Sequence, residues 1–315
     1  MKILVTGGAG FIGSHVVDAF LALGHQVHII DNLSSGREEN INPVALFTRG
    51  DIRDAALVQR LIRNERFDVL CHHAAQMDVR RSVADPVEDA SINILGALTL
   101  LEACRMNGVR RLLFASSGGA IYGEQEYFPA DENHPTRPIS PYGVAKLSTE
   151  QYLYYYGAVY AIDAVCLRYA NVYGPRQNPE GEAGVVAIFT AKMLSGEQPL
   201  INGPGTQTRD YVFVADVVRA NVLALQSSGS GIYNVGTGVE TDVNALFRHL
   251  RKQTGSSCAE KHGEAKKGEQ LRSVLDNRKI VKELGWSVSV PIEEGLLRTV
   301  EQFRKDMSRE PRRPR

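Results

Sequence analysis

Three glycines constrain this chain more than any other feature. Gly7, Gly10 and Gly13 stand between an apolar run, Ile3-Leu4-Val5, and a stretch from Ile12 to Leu23 whose apolar residues recur at helical spacing. A strand that ends in such a set and turns directly into a helix reads as the opening of a βαβ unit. One glycine permits the tight turn, one lets backbone approach a pyrophosphate, and the third lets helix and strand pack closely. The N-terminus of the helix then offers unpaired amides to phosphate oxygens.

The next strand supports the same reading. Asp31 closes the run Val27-His28-Ile29-Ile30, about 20 residues beyond the glycines, where a carboxylate accepts from the ribose hydroxyls of a dinucleotide. A carboxylate there repels a 2′-phosphate, so the pattern favours NAD over NADP; Arg37 is the nearby residue that argues otherwise. Asp51-Ile52, after the third strand, is expected to flank the adenine, and His73-Ala74-Ala75, after the fourth, to line the crevice.

Val69-Leu70-Cys71 and Leu112-Leu113-Phe114-Ala115 read as further buried parallel strands, with a helix over Ile92 to Asn107 between them. Another helix is expected from Tyr142 towards Tyr156, then a strand at Ala164 to Leu167. This alternation predicts an α/β fold, a Rossmann-type doubly wound parallel sheet. After Asn171, Gly174-Pro175, Asn178-Pro179 and Gly203-Pro204-Gly205 punctuate shorter elements, which suggests a smaller, partly interrupted α/β substrate domain. The expected division is 1–172 for the dinucleotide, with a return at about 212–235. Residues 173–211 and 236–307 are assigned to the substrate, and 308–315 to a basic tail.

Composition excludes several classes. With 36 basic and 36 acidic residues the formal net charge is zero, which speaks against a nucleic-acid footprint. The four cysteines lack the paired close spacing of a zinc site and read as reduced thiols, so no metal is expected. No secretory leader pattern or long apolar run is visible, so a cytoplasmic protein without a membrane partner is expected.

Tyr142 and Lys146 stand four apart and share a helix face. An ammonium beside the phenol, together with the positive ring of bound NAD⁺, favours the phenolate and lowers its pKa. A general base that removes a hydroxyl proton near neutral pH needs that lowering.

With these motifs in order, the chain resembles the extended short-chain dehydrogenase/reductases, the NAD-dependent epimerase/dehydratase family. The resemblance rests on Thr6 to Gly13, Asp31-Asn32-Leu33, Ser116 to Gly123, Pro141-Tyr142-Gly143-x-x-Lys146 and Arg168-Tyr169-x-Asn171. It runs to about residue 305 and points to the UDP-glucose 4-epimerase branch. It implies tightly held NAD, a UDP-sugar substrate whose C4 hydroxyl is inverted through a 4-keto sugar, and a homodimer built on the helices at 92–107 and 142–156.

For the cofactor the resemblance adds Phe11, Ile12, Asn32, Ser35, Gly36, Gln76, Asn93, Ser116 and Tyr169. For the substrate it points to Gly118, Gly119, Asn171, Val185, Val186, Ile201, Asn202, Arg209, Lys266, Glu269, Arg272 and Ser273. The chain departs from the family at Gly118, where a Ser or Thr usually bonds the sugar oxygen; Ser117 or a water is expected to replace it. Gly119-Ala120 stand where 4,6-dehydratases carry Asp-Glu, and Ala120 where UDP-glucuronate decarboxylases carry Glu, which demotes both activities. Ser273, small where many epimerases have Tyr, leaves room for N-acetylated sugars. UDP-glucuronate would need a cation such as Arg80, Arg81 or Arg176. The alternatives are a 4-ketoreductase, a dehydratase or decarboxylase, and a non-catalytic NAD-binding regulator.

Overall fold

The computed structural model describes residues 1–180, 184–265 and 270–309. Its strands, in chain order, begin with β1 (Lys2–Thr6), β2 (Gln26–Asp31), β3 (Leu46–Arg49), β4 (Val69–His72), β5 (Arg111–Ser117) and β6 (Asp163–Tyr169). They continue with β7 (Asn171–Tyr173), β8 (Ile201–Asn202), β9 (Thr208–Phe213), β10 (Gly231–Val235), β11 (Glu240–Asp242) and β12 (His262–Gly263). The helices of the first half are α1 (Phe11–Ala22), α2 (Ala55–Glu65), α3 (Val79–Ala84), α4 (Pro86–Ala90), α5 (Gly96–Asn107), α6 (Gly118–Ile121) and α7 (Pro141–Tyr160). Those of the second are α8 (Val185–Ser195), α9 (Val214–Gln226), α10 (Val243–Thr254), α11 (Arg278–Leu284) and α12 (Ile292–Arg309).

Seven strands make one parallel sheet in the order β10-β6-β5-β4-β1-β2-β3. The chain runs outward from β1 to β3, then crosses back to β4 on the other side of β1. This reversal opens a crevice at the carboxyl ends of β1 and β4, where such sheets bind ligands. Alternation along the strands feeds two cores. Ile3, Val5, Leu113 and Val165 face α1 and α9, whereas Leu4, Leu70, Leu112 and Ala164 face α2, α5 and α7. A third core, with Phe189, Tyr211, Phe213, Phe247 and Leu296, joins α8, α10 and α12 to the small sheet β11-β9-β7.

The helix expected from Ile92 has a different beginning. Ser91–Leu95 form a π-helical turn, and regular α-helix starts at Gly96. The wider turn lets Asn93 point inward, where its amide nitrogen donates to Gln76 O at 2.9 Å and to Asp89 Oδ1 at 2.9 Å. Ser308 and Arg309, expected in a basic tail, belong instead to α12; the rest of that expectation, residues 310–315, lies outside the described residues. Among the described residues no helix is long and apolar enough to cross a membrane.

Helix α7 is set by local chemistry at its start. Ser140 Oγ accepts from Gly143 N at 3.2 Å, and Pro141 occupies the first turn. Deeper in the protein Glu150 on α7 pairs with Arg168 on β6 at 2.6 Å, with side chains 0% and 4% exposed. Ser116 Oγ donates to Glu150 Oε1 at 2.5 Å, and Arg168 Nη1 donates to Tyr122 Oη at 2.9 Å. Tyr122 in turn donates to Asn234 Oδ1 on β10 at 2.7 Å. Removing one partner of such a pair strands the other charge. Glu150→Ala is therefore expected to cost about 3–5 kcal/mol in urea unfolding; a loss below about 1 kcal/mol would show that the pair does not hold α7.

Candidate functional site

The first turn is shaped by close approach. Gly7 has φ +71°, and a Cβ there would lie 2.6 Å from Ala74 N; a Cβ on Gly13 would lie 2.2 Å from Gly7 O. Only glycine fits both places, and Gly10 N donates to Gly7 O at 3.1 Å to close the turn. Phe11 and Ile12, half-buried, begin α1 beside it.

Asp31 sits at the end of β2, 8% exposed, and its carboxylate accepts from Ala9 N at 3.0 Å and Leu33 N at 2.8 Å. These bonds tie it to the glycine turn with lone pairs still available for ribose hydroxyls. Gly36 approaches the same carboxylate, while Asn32 and Ser35 are exposed at its rim. Arg37 is turned to Glu39 at 3.2 Å and to Asn178 Oδ1 at 3.0 Å. Asn32 Nδ2 donates to Asp51 Oδ2 at 3.1 Å, and Arg53 beside Asp51 holds that carboxyl down at about 2. Ile52 is buried.

The far wall comes from β4 and β6. His73 Nε2 meets Tyr169 Oη at 3.3 Å with the rings stacked, and Asn221 Nδ2 donates to the same oxygen at 2.8 Å. Burial, with the Lys146 charge adding to it, pushes His73 down to about 3, so the imidazole is neutral. Ala74 N donates to Thr6 Oγ1 at 3.1 Å, and half-buried Ala75 follows. Gln76 N donates to Asn93 Oδ1 at 3.0 Å. The glycine cradle, the acidic strand end and the neutral far wall all fit a dinucleotide.

Tyr142 and Lys146 lie on one face of α7, with Lys146 Nζ 5.8 Å from the Tyr142 ring centre. Lys146 is 4% exposed and donates to Ala115 O at 2.8 Å. Within the protein itself, burial opposes the phenolate. Burial pushes Tyr142 up to about 12, opposed by a hydrogen bond with Ser117, while the Asp89 charge raises it further. Burial also pulls Lys146 down to about 8. Desolvation thus favours the neutral form of each group.

Gly118 is filled from another direction than the sequence suggested. A Cβ there would lie 2.5 Å from Leu275 Cδ1, and Leu275 is fully buried. Among nearby side chains it is Ser117 that favours the Tyr142 phenolate. Gly119 opens towards Asn171, whose Oδ1 would be 3.8 Å from a Cβ at that glycine.

The remaining expected substrate residues are spread over the smaller half. Val185 and Val186 start α8, and Ile201 and Asn202 form β8. Arg209, on β9, donates to Thr208 O at 2.8 Å. Arg272 pairs with Glu240 at 2.8 Å and stacks 3.7 Å from the Phe128 ring centre. Its neighbour Ser273 is buried. Arg176 pairs with Asp18 at 2.8 Å on the back of α1. Lys266 and Glu269 lie outside the described residues.

Sequence reasoning missed Asp89, Glu150 and Leu275. Glu150 carries a usable signal: it continues the four-residue stripe of Tyr142 and Lys146. Asp89 and Leu275 carry none, since only tertiary contact brings them to the site.

The model of the NAD dependent epimerase/dehydratase family matches residues 3–236. A UDP-glucose 4-epimerase of Mycolicibacterium smegmatis is 45% identical over 96% of this chain and 99% of its own length. The solved UDP-glucose 4-epimerase of Thermotoga maritima, with UDP-glucose, is similar at TM-score 0.96 and 50% identity, covering 98% of this chain and 100% of that one. The Thermus thermophilus UDP-glucose 4-epimerase complexed with NAD follows at TM-score 0.92 and 46% identity, over 96% and 99% of the two chains.

Gly118→Ser restores the family's hydroxyl but forces it against Leu275. The variant is expected to lose about 1–3 kcal/mol of stability in thermal unfolding, and Leu275→Ala in the same protein to relieve the overpacking. A Gly118→Ser protein as stable as the parent would contradict the clash.

Proposed function

Because the chain belongs to the NAD-dependent epimerase/dehydratase family, we propose that it is an isomerase that inverts the 4-hydroxyl of a UDP-activated sugar, UDP-glucose and UDP-galactose first. One observation carries the reading: Tyr142 and Lys146 share a face of α7 with Lys146 Nζ 5.8 Å from the phenol ring centre, and nearby Gly119 and Ala120 provide no acid or base for elimination. Residues 1–172 and 212–235 are assigned to NAD, and 173–211 with 236–307 to the nucleotide sugar.

Gly7, Gly10, Gly13, Asp31 and the His73–Tyr169 wall would hold NAD. When bound it supplies the oxidation and re-reduction at C4 and a positive ring beside the phenol. Tyr142 takes the proton of the 4-hydroxyl and returns it to the inverted alcohol. Ser117 keeps the phenol oriented, and Lys146, fixed by Ala115 O, provides the cationic neighbour. Asn171 and Arg209 are assigned to the diphosphate, with Arg272 bracing the strand that carries Arg209 through Glu240. Val185, Val186, Ile201 and Asn202 are assigned to the uracil. Ser273, small and buried, extends the range to 2-acetamido sugars.

Cytoplasmic residence and a homodimer belong to the same proposal. Helices α5 and α7 and the turn before α5 expose Leu95, Met106, Tyr154 and Val159, each more than half exposed. Sedimentation at micromolar concentration is expected to give a dimer; a monomer rejects this surface as the interface.

The function is tested by giving purified protein, with no added cofactor, UDP-galactose, UDP-GalNAc and UDP-glucuronate separately. A 4-epimer without net NADH supports the isomerase. Net consumption of added NADH supports a ketoreductase instead. Tyr142→Phe is expected to retain NAD and to lower kcat by roughly 10²–10⁴-fold; near-parental turnover would remove Tyr142 from the chemistry.

A further inference from the structure

Asp210, on β9, is 1% exposed, and each of its carboxylate oxygens accepts two hydrogen bonds. Oδ1 accepts from Thr237 N at 2.8 Å and Thr237 Oγ1 at 2.6 Å. Oδ2 accepts from Gly238 N at 3.1 Å and Leu275 N at 3.3 Å. All four donors are neutral, and three are backbone amides. Burial pushes the acid up, and these donors partly offset it. With a donor aimed at every contact, the arrangement suits the ionised form, which only accepts. Gly236 lies so close that a Cβ there would stand 2.4 Å from Oδ2.

These bonds join three parts of the chain. β9 belongs to the small sheet β11-β9-β7, and residues 236–238 follow β10 at the edge of the large sheet. Leu275 is the side chain that a Cβ at Gly118 would meet. Side chains alternate across a strand, so Asp210 and Arg209 face opposite sides of the small sheet. On β7, Asn171 pairs in register with Tyr211, two residues beyond Arg209 on β9. Arg209, Tyr211 and Asn171 therefore share one face, and Asp210 anchors the other.

We propose that Asp210 is a positioning residue for the diphosphate. It ties β9 to the turn after β10 and to Leu275, and so fixes the face from which Arg209 and Asn171 reach the substrate. An acid next to a phosphate-binding arginine is tolerated because its charge is met by four donors on the far side of the strand. This role rests on the nucleotide-sugar reading, and UDP alone tests it without turnover.

NAD-loaded protein is titrated with UDP by calorimetry. Asp210→Asn turns an amide NH₂ towards two of the four donors, and is expected to weaken UDP roughly tenfold with the NAD content of the parent retained. Thr237→Val removes one donor and leaves the carboxylate in place; it should weaken UDP about threefold, and Thr237→Ser should not weaken it. Arg209→Ala is expected to weaken UDP as well, and adding Asp210→Asn to it to change little, because both remove the same contact. A general defect in folding would add instead. Asp216→Asn is the control: that acid, its side chain 0% exposed, accepts from Ser289 N and Val290 N before α12. Its loss should lower thermal stability and leave UDP affinity unchanged. Parental UDP affinity in folded Asp210→Asn and Thr237→Val overturns the role, as does full additivity with Arg209→Ala or equal weakening in Asp216→Asn. UDP that fails to bind the parent protein rejects the nucleotide-sugar reading and this role with it.

Discussion

The site depends on the ion pair between Glu150 and Arg168. It joins the helix that carries Tyr142 and Lys146 to the strand that carries Tyr169, and Ser116 links the same carboxylate to β5. Two charges enclosed in protein gain from each other only when geometry and extra hydrogen bonds are good. Here Tyr122 and Asn234 supply those bonds and extend the network to β10. The helix that carries Tyr142 and Lys146 is thus fixed against three strands of the sheet.

Holding the pair so deep has an electrostatic consequence. Enclosure pushes Tyr142 up and Lys146 down, both away from the charged forms that proton transfer requires. The protein offsets this partly with the Ser117 hydrogen bond and with the acids near Lys146. The positive ring of bound NAD would add to that offset.

Much of this was legible in the sequence. Gly7, Gly10, Gly13 and Asp31 announce the first βαβ unit because each position has a steric or electrostatic requirement that few residues meet. The parallel strands show as unbroken apolar runs because both sheet faces are covered. What escaped depended on long-range packing. The π-helical turn at Ser91–Leu95 exists so that Asn93 can meet Gln76 and Asp89, a contact no local pattern encodes. The meaning of Gly118 likewise lay far along the chain, in Leu275. Spacing along α7 reveals a neighbour for the phenol but not how burial acts on either group.

The central claim is that a hydrogen removed from C4 stays within the protein and returns to the same carbon. UDP-galactose deuterated at C4, incubated with purified protein in ordinary water, tests it most directly. The account predicts UDP-glucose that still carries the deuterium at C4; loss of the label to solvent would contradict it.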